Sequence, residues 1–420
     1  GTTPHLTEGR ALTAVTQPVD TTGRRFPQWV VLSVSAVIFV VLFTIILTFE
    51  PVLGGGPPDL ATATQQTANA LSLGAIYALI ALGYTMVYGI IELINFAHGD
   101  LFMVGAFVSM TFTRTGFSTI SPWGTTVGRI VLGGLALFLA WGLISGLGIR
   151  RAVPRLAALG AVVAAAIGLE IGLHATGPNG DIAVLGLVLV PAFLIAMILI
   201  AATNVTIERL AYRPLRRASR LAPLLTAVGV SYVLQNIVQI WQGTGDRPVP
   251  QLVPLVKFEL LGAKVNWLNL FILVLALALM LGLQAFVSRT RLGRAMRSTA
   301  QDQQAAQLMG VDLNQTISIT FLIGGALAGA AGVFQGLYFG FVRFDLGFNA
   351  GLKAFTSAVL GGIGNLTGAV IGGFLIGFVE VFAAASGQQR WSQAIVFVVL
   401  IVVLIVRPSG ILGQQVSDRA

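Results

Sequence analysis

The sequence predicts an all-α fold: a polytopic transmembrane helical bundle of about 10–11 spans with one broken half-helix. Three observations predict it. Of 420 residues, 55% are hydrophobic and only 10% charged, and the mean hydropathy is +0.86. Apolar runs of about 18 residues or more, long enough to cross a hydrocarbon core, recur along the chain. The arginines behind the net charge of +9 gather at the ends of those runs. There they anchor topology beside an anionic leaflet, so the charge is no sign of nucleic-acid binding.

Residues 1–28 are polar, carry Pro4, Pro18 and Pro27, and read as a cytoplasmic N-terminal tail. Residues 29–413 read as the membrane domain, with a cytoplasmic coupling loop at 288–315 and a short C-terminal tail at 414–420. Apolar periodicity places spans at 29–49, 67–90, 100–113, 128–148, 156–175, 183–206, 222–242, 267–287, 316–340, 365–385 and 393–407. The first lacks the cleavage site of a secretory signal and reads as a retained helix. Gly54 to Pro58 breaks the chain before the second.

Positive charge orients these spans. Arg24 and Arg25, then Arg150, Arg151 and Arg155, then the loops at 208–220 and 289–314 all fall on one side if the helices alternate. Arginine-rich short loops stay cytoplasmic. Gly243 to Trp267 is then an outside loop, and Arg407 lies inside if Lys353–Gly364 crosses part of the membrane as a half-helix. Of 50 glycines, several pairs sit four apart: Gly325 and Gly329, Gly332 and Gly336, Gly336 and Gly340, Gly368 and Gly372, Gly373 and Gly377. That spacing lets helix backbones approach in lipid, where no hydrophobic force drives association.

Several chemistries are excluded. The three lysines, Lys257, Lys264 and Lys353, do not follow glycine, so no phosphate-binding loop of the Walker type exists. Without cysteine there is no disulfide or thiolate ligand. The three histidines, His5, His98 and His174, form no metal-ligand spacing. The chain is expected to be no enzyme, with no cofactor or metal of its own.

Polar residues at membrane depth are the candidates for function, because their cost there needs a reason. One set runs from Tyr84 through Tyr88, Glu92, Asn95 and His98 to Asp100. Helical spacing places Tyr84, Tyr88 and Glu92 on one face. Asn95, His98 and Asp100 suit a helix break that turns the chain back into the membrane; an ordinary interfacial loop would use the same residues. A second set is Phe355, Thr356 and Ser357 before the glycine break Gly361, Gly362 and Gly364. Such a break marks a discontinuous helix whose free backbone groups can face a solute. Glu92, Asp100, Glu170, His174 and Glu380 read as interfacial, and Asn236 as an inter-helix hydrogen-bonding group.

The segment Gln304-Ala305-Ala306, three residues, then Gly310 follows Arg291, Arg294 and Arg297. Helix formers from Ala300 to Met309, stopped by Gly310, predict one short cytoplasmic helix. Its spacing resembles the loop by which membrane subunits of ABC importers seat a helix on their ATPase.

The chain closely resembles the H-type permease subunits of Liv-type branched-chain amino-acid ABC importers. The resemblance rests on Tyr77–Ile91 with Ile94-Asn95-Phe96-Ala97-His98-Gly99, on Glu208-Arg209-Leu210-Ala211-Tyr212-Arg213-Pro214, on Arg291–Ala295, on Lys353–Gly364 and on Pro408–Gly413. It covers roughly 65–110 and 203–413 and fails over 1–60 and 113–200. It implies a bacterial inner-membrane importer with a second homologous permease, two cytoplasmic ATPases that bind ATP and Mg, and an extracytoplasmic binding protein. It also implies ATP-driven alternating access, with Tyr84, Tyr88, Asn95, His98, Phe355, Thr356, Ser357, Gly361 and Gly362 on the substrate path. Arg294, Gln304, Ala305, Ala306 and Gly310 would then couple to the ATPase. Urea and amide importers use related permeases, and an ion-coupled transporter is the rival class.

Overall fold

The computed structural model describes residues 60–93, 95–115, 189–216, 218–219, 221–250, 257–260 and 263–413. The expected spans at 29–49, 128–148 and 156–175, both tails, Glu170 and His174 lie outside these residues. Among them the fold is a helical bundle. Its helices are α1 (Leu60–Ile91), α2 (Ala97–Thr115), α3 (Val190–Ile207), α4 (Leu221–Gln242), α5 (Trp267–Arg289), α6 (Arg291–Gln301), α7 (Gln303–Leu308), α8 (Leu313–Phe339), α9 (Leu346–Gly361), α10 (Leu366–Ala383) and α11 (Ser392–Val406). Six stretches of the described residues are long and apolar enough to cross a membrane: Ala61–Ile91, Ala192–Tyr212, Leu221–Gln242, Trp267–Arg289, Leu313–Phe339 and Leu366–Val406. The last holds both α10 and α11, which part at Ser386 and Gly387.

Local chemistry sets the helix starts. Asn266, Asp312 and Asn365 accept hydrogen bonds from the amides of Leu268, Gln315 and Gly368, satisfying donors that a helix N-terminus leaves over.

Glycine sets the packing. The centre is α8, wedged between α1, α2 and α3. A Cβ at Gly325 would lie 2.7 Å from the Ile200 carbonyl oxygen, and one at Gly329 equally close to that of Ala196. Gly373 and Gly377 press α10 onto the backbone of α1 at Ala78 and Gly74. Backbones this close gain dispersion contact that larger side chains would prevent. Gly340 serves differently from the expected packing pair with Gly336. It ends α8 in the left-handed region (φ 74°) with nothing near its missing side chain.

Two expectations are corrected. The half-helix expected at Lys353–Gly364 begins seven residues earlier, at Leu346, because Gly347 and Gly351 seat α9 against Gly99 of α2 and do not break it. The loop expected from Gly243 to Trp267 contains a hairpin, β2 (Lys257–Leu260) antiparallel to β3 (Ala263–Asn266), which buries Ala263 and Val265. Ahead of it β1 (Arg247–Pro248) pairs with β4 (Phe341–Val342). Beside that pair Arg343 meets Asp345 and Asp246, and the Asp345 carboxylate holds the guanidinium pKa above its usual value.

Candidate functional site: a cleft beside two chain breaks

The first break follows α1. Glu92 turns the chain at φ 58°, and the Asn95 carbonyl accepts from the His98 amide at 3.0 Å to start α2. The Asn95 side chain does something else. Its Oδ1 accepts from the Tyr212 hydroxyl at 2.7 Å, tying the break to the π-helical turn Glu208–Tyr212 that ends α3. His98 is fully buried with its ring 4.9 Å from that of Tyr84, in space that the missing side chain of Gly83 leaves open.

Asp100, expected at the interface, is fully buried. It accepts from Ser231 Oγ, and from Gln235 Nε2 at 2.9 Å, both on α4. A buried carboxylate is tolerable only with such donors. Asn236, expected to bond between helices, donates instead to the Tyr232 carbonyl of its own helix at 2.7 Å, and Gln235 makes the inter-helix bond.

The second break is the turn between α9 and α10. The amides of Gly362 and Asn365 are taken by the Ala358 and Gly362 carbonyls. Residues after α11 complete the turn. Ile411 and Leu412 donate their amides to the carbonyls of Leu360 and Gly361 at 2.8 and 2.9 Å, and Asn365 Nδ2 donates to the Leu412 carbonyl at 2.8 Å. Helix-end carbonyls that would otherwise lack donors are thereby satisfied.

Between the breaks lies a narrow, partly open cleft lined by Tyr84, Thr85, Tyr88, Phe355, Ala358 and Ile363. Phe355 is flanked by Tyr84 and Phe96, with ring centroids 6.1 and 6.0 Å away. Of the sequence candidates, Tyr84, Tyr88 and Phe355 line this cleft. Asn95, His98, Gly361 and Gly362 are buried around it. Thr356 and Ser357 are fully buried, and their hydroxyls donate to the carbonyls of Leu352 and Lys353, each at 2.8 Å.

A charged group behind the cleft was missed as such. Glu380, expected to anchor near a span end, forms an ion pair with Lys353 and accepts from the Tyr77 hydroxyl at 2.8 Å. Lys353 Nζ also sits 5.8 Å from the centre of the Tyr77 ring. This knot joins α1, α9 and α10. Its signal in the sequence was a lysine and a glutamate, each inside an apolar run and separated by 27 residues.

The arginine-flanked segment forms two helices and not one from Ala300 to Met309. Asp302 interrupts it and caps α7, accepting from the amides of Gln304 and Ala305 at 2.9 and 3.0 Å. Gly310, at φ 84°, ends α7 as only glycine does without strain, with Val311 donating to Ala306 and Gly310 to Gln307. Leu308 and Met309 are 88% and 85% exposed, whereas Ala306 is buried. Gln303 Nε2 donates to the Ile90 carbonyl at 2.8 Å, fastening this segment to the end of α1 two residues beyond Tyr88. Nearby, buried Glu208 pairs with Arg216 and accepts from Ser318 Oγ at 2.7 Å.

The family model "Branched-chain amino acid transport system / permease component" matches residues 66–153 and 119–404. The chain is 36% identical over 366 residues to the high-affinity branched-chain amino acid transport system permease protein BraD of Pseudomonas aeruginosa, covering 86% of this chain and 99% of BraD. It is 34% identical over 359 residues to LivH of Escherichia coli strain K12, likewise named a high-affinity branched-chain amino acid transport system permease protein, covering 84% and 97%. A probable branched-chain amino acid transport permease protein of Methanocaldococcus jannaschii is 23% identical over 353 residues, covering 82% and 91%. No solved structure matches. The glycine-packed bundle with its two breaks therefore belongs to the branched-chain amino acid transport system permease family.

Proposed function

We propose that this chain is the membrane-spanning permease subunit of an ABC importer and translocates branched-chain, hydrophobic amino acids. Separate ATPase subunits power it through alternating access. It works in the bacterial inner membrane with a second homologous permease, two cytoplasmic ATPases and an extracytoplasmic binding protein, and itself binds no ATP or metal. Residues 29–413 form the permease domain, flanked by the tails 1–28 and 414–420.

One observation carries the substrate class. Along α9, Phe348, Leu352, Phe355, Val359 and, just past its end, Ile363 fall on one partly exposed stripe. Tyr84 and Tyr88 stand beside its inner part. An apolar amino-acid side chain can slide along such a surface without trading water for a strong polar site. Asn95, His98, Thr356, Ser357, Gly361 and Gly362 hold the walls of this path. Arg294, Gln304, Ala305, Ala306 and Gly310 build the coupling knob, which reaches the path through Gln303 and Ile90. The names of the relatives support the same reading.

The test is reconstitution of the chain with its partner subunits and binding protein, followed by ATP-driven uptake of leucine, isoleucine and valine. Uptake of these that competes with one another, and not with urea, supports the reading. Urea uptake without response to leucine overturns it, as does a lone oligomer that transports with no ATPase bound.

A further inference from the structure

The threonines buried in the described helices are Thr85, Thr111, Thr299, Thr316, Thr320 and Thr356, and all but one behave alike. The hydroxyls of Thr111, Thr299, Thr316, Thr320 and Thr356 each donate to the carbonyl four residues earlier, at 2.8 or 2.9 Å. A threonine inside a helix has that acceptor at hand whatever surrounds it. Thr85 does not use it. Only 2% of the residue is exposed, yet its Oγ1 has no hydrogen-bond partner in the protein, the Ala81 carbonyl one turn back included. Leaving a buried hydroxyl unpaired is costly, so the exception asks for a reason. The side chain of Thr85 lines the cleft between the two breaks, beside apolar Phe355, Ala358 and Ile363. The other polar residues of the lining are placed differently. The Tyr84 hydroxyl lies against α9, 3.1 Å from where a Cβ on Gly351 would stand, and half-buried Tyr88 is within reach of water.

We propose that Thr85 is a binding residue for the transported amino acid: its hydroxyl donates to the α-carboxylate while the aliphatic side chain lies against Phe355, Ala358 and Ile363. The proposal rests on the permease reading above and names the polar contact that the cleft supplies. An unpaired O–H needs an acceptor. Of the two charged groups of an aliphatic amino acid only the carboxylate accepts, since an ammonium donates alone. The cleft is narrow in this conformation, so the contact forms as α1 and α9 part during transport. Meeting the solute then breaks no bond inside α1, because the hydroxyl is not held by Ala81. Thr356 and Ser357 across the turn have no such freedom, their hydroxyls being spent on their own helix. A single neutral donor also holds a carboxylate loosely enough to release it, as a transport path requires.

The test uses the assembled transporter carrying Thr85→Val, which keeps the branched shape without the hydroxyl, or Thr85→Ser, which keeps the hydroxyl. Thr320→Val, which removes an equally buried hydroxyl bonded within its own helix, is the reference. In nanodiscs, without the binding protein, the wild type should bind leucine roughly tenfold more tightly than isopentylamine, which is leucine without its carboxylate, as one hydrogen bond to a charged group implies. Thr85→Val should bind the two alike, and Thr85→Ser and Thr320→Val should keep the preference. In proteoliposomes supplied with ATP and leucine-loaded binding protein, Thr85→Val should lower leucine uptake by a similar factor. An undiminished preference for leucine in Thr85→Val overturns the proposal. So does an equal loss in Thr85→Ser, because the shape of the side chain and not its hydroxyl would then matter. Should Thr85→Val fail to assemble, Thr85→Ala against Thr85→Ser carries the same measurement. Wild-type uptake of urea with no response to leucine would overturn the amino-acid reading itself, an outcome distinct from a wild type that moves leucine and a Thr85→Val variant that does so equally well.

Discussion

Helices α8 and α5 are both apolar enough to span a membrane, yet they sit in opposite places. The more apolar is α5, with a mean hydropathy of 2.7 against 1.9, but only 22% of its most apolar stretch is buried, against 83% in α8. A water-soluble fold would put the oilier helix inside. In a bilayer, lipid serves oil as well as protein does, so what draws a helix inward is small residues and polar partners. Helix α8 supplies Gly325, Gly329 and Gly332, while α5 turns a wall of leucine and valine outward.

The interior should therefore break far more easily than the rim. Lys353→Met leaves the partly buried Glu380 without its cation and should cost up to about 3 kcal/mol, whereas pairing it with Glu380→Gln should restore much of that. Thermal unfolding in detergent measures both, and equal losses in the single and double variants would show that charge pairing is not what holds the knot. Gly377→Val drives a side chain into the backbone of α1 at Gly74 and should cost about 1–3 kcal/mol or more, read as lost folded yield. Gly310→Ala sharpens the comparison at the membrane surface. It should cost about 1 kcal/mol locally from the positive φ, leave global unfolding unchanged and lower ATP-coupled uptake. Ala305→Asp probes the same knob without touching buried Ala306, and should weaken ATPase co-purification. The smallest effect belongs to the rim: Leu281→Ala on α5 should shift stability by less than about 0.5 kcal/mol, and a larger shift would mean that α5 is covered by protein.

Much of this division was legible in the sequence. Runs of apolar residues fix the ends of α4, α5 and α8 within a few positions, and glycines four apart mark the faces of α8 and α10 that pack. The start of α9 was not legible, since Gly347, Asn349 and Gly351 look like loop residues until Gly99 arrives opposite them. Buried Asp100 and partly buried Glu380 look interfacial for a similar reason. Their partners, Ser231, Gln235 and Lys353, come from other helices, and no local pattern announces a contact made across the bundle. The break at Asp302 was within reach, because an acidic residue ahead of helix formers is an N-cap signal. In the candidate site, aromatic Tyr84 and Tyr88 were readable from helical spacing, and Phe355 from the glycine break that follows it. The occupation of the Thr356 and Ser357 hydroxyls by their own helix was not.

The seal on the α9–α10 turn bears on how the protein is made. The carbonyls of Leu360 and Gly361 and the side-chain amide of Asn365 are met by Ile411 and Leu412, some fifty residues later. During synthesis the ribosome must deliver α10 and α11 before that turn can close. The hairpin bordering the cleft is thus among the last parts to reach its native form. Until Leu412 emerges, the wall of the cleft stays unlatched, and a chain stalled before Pro408 would insert its helices yet never finish its path.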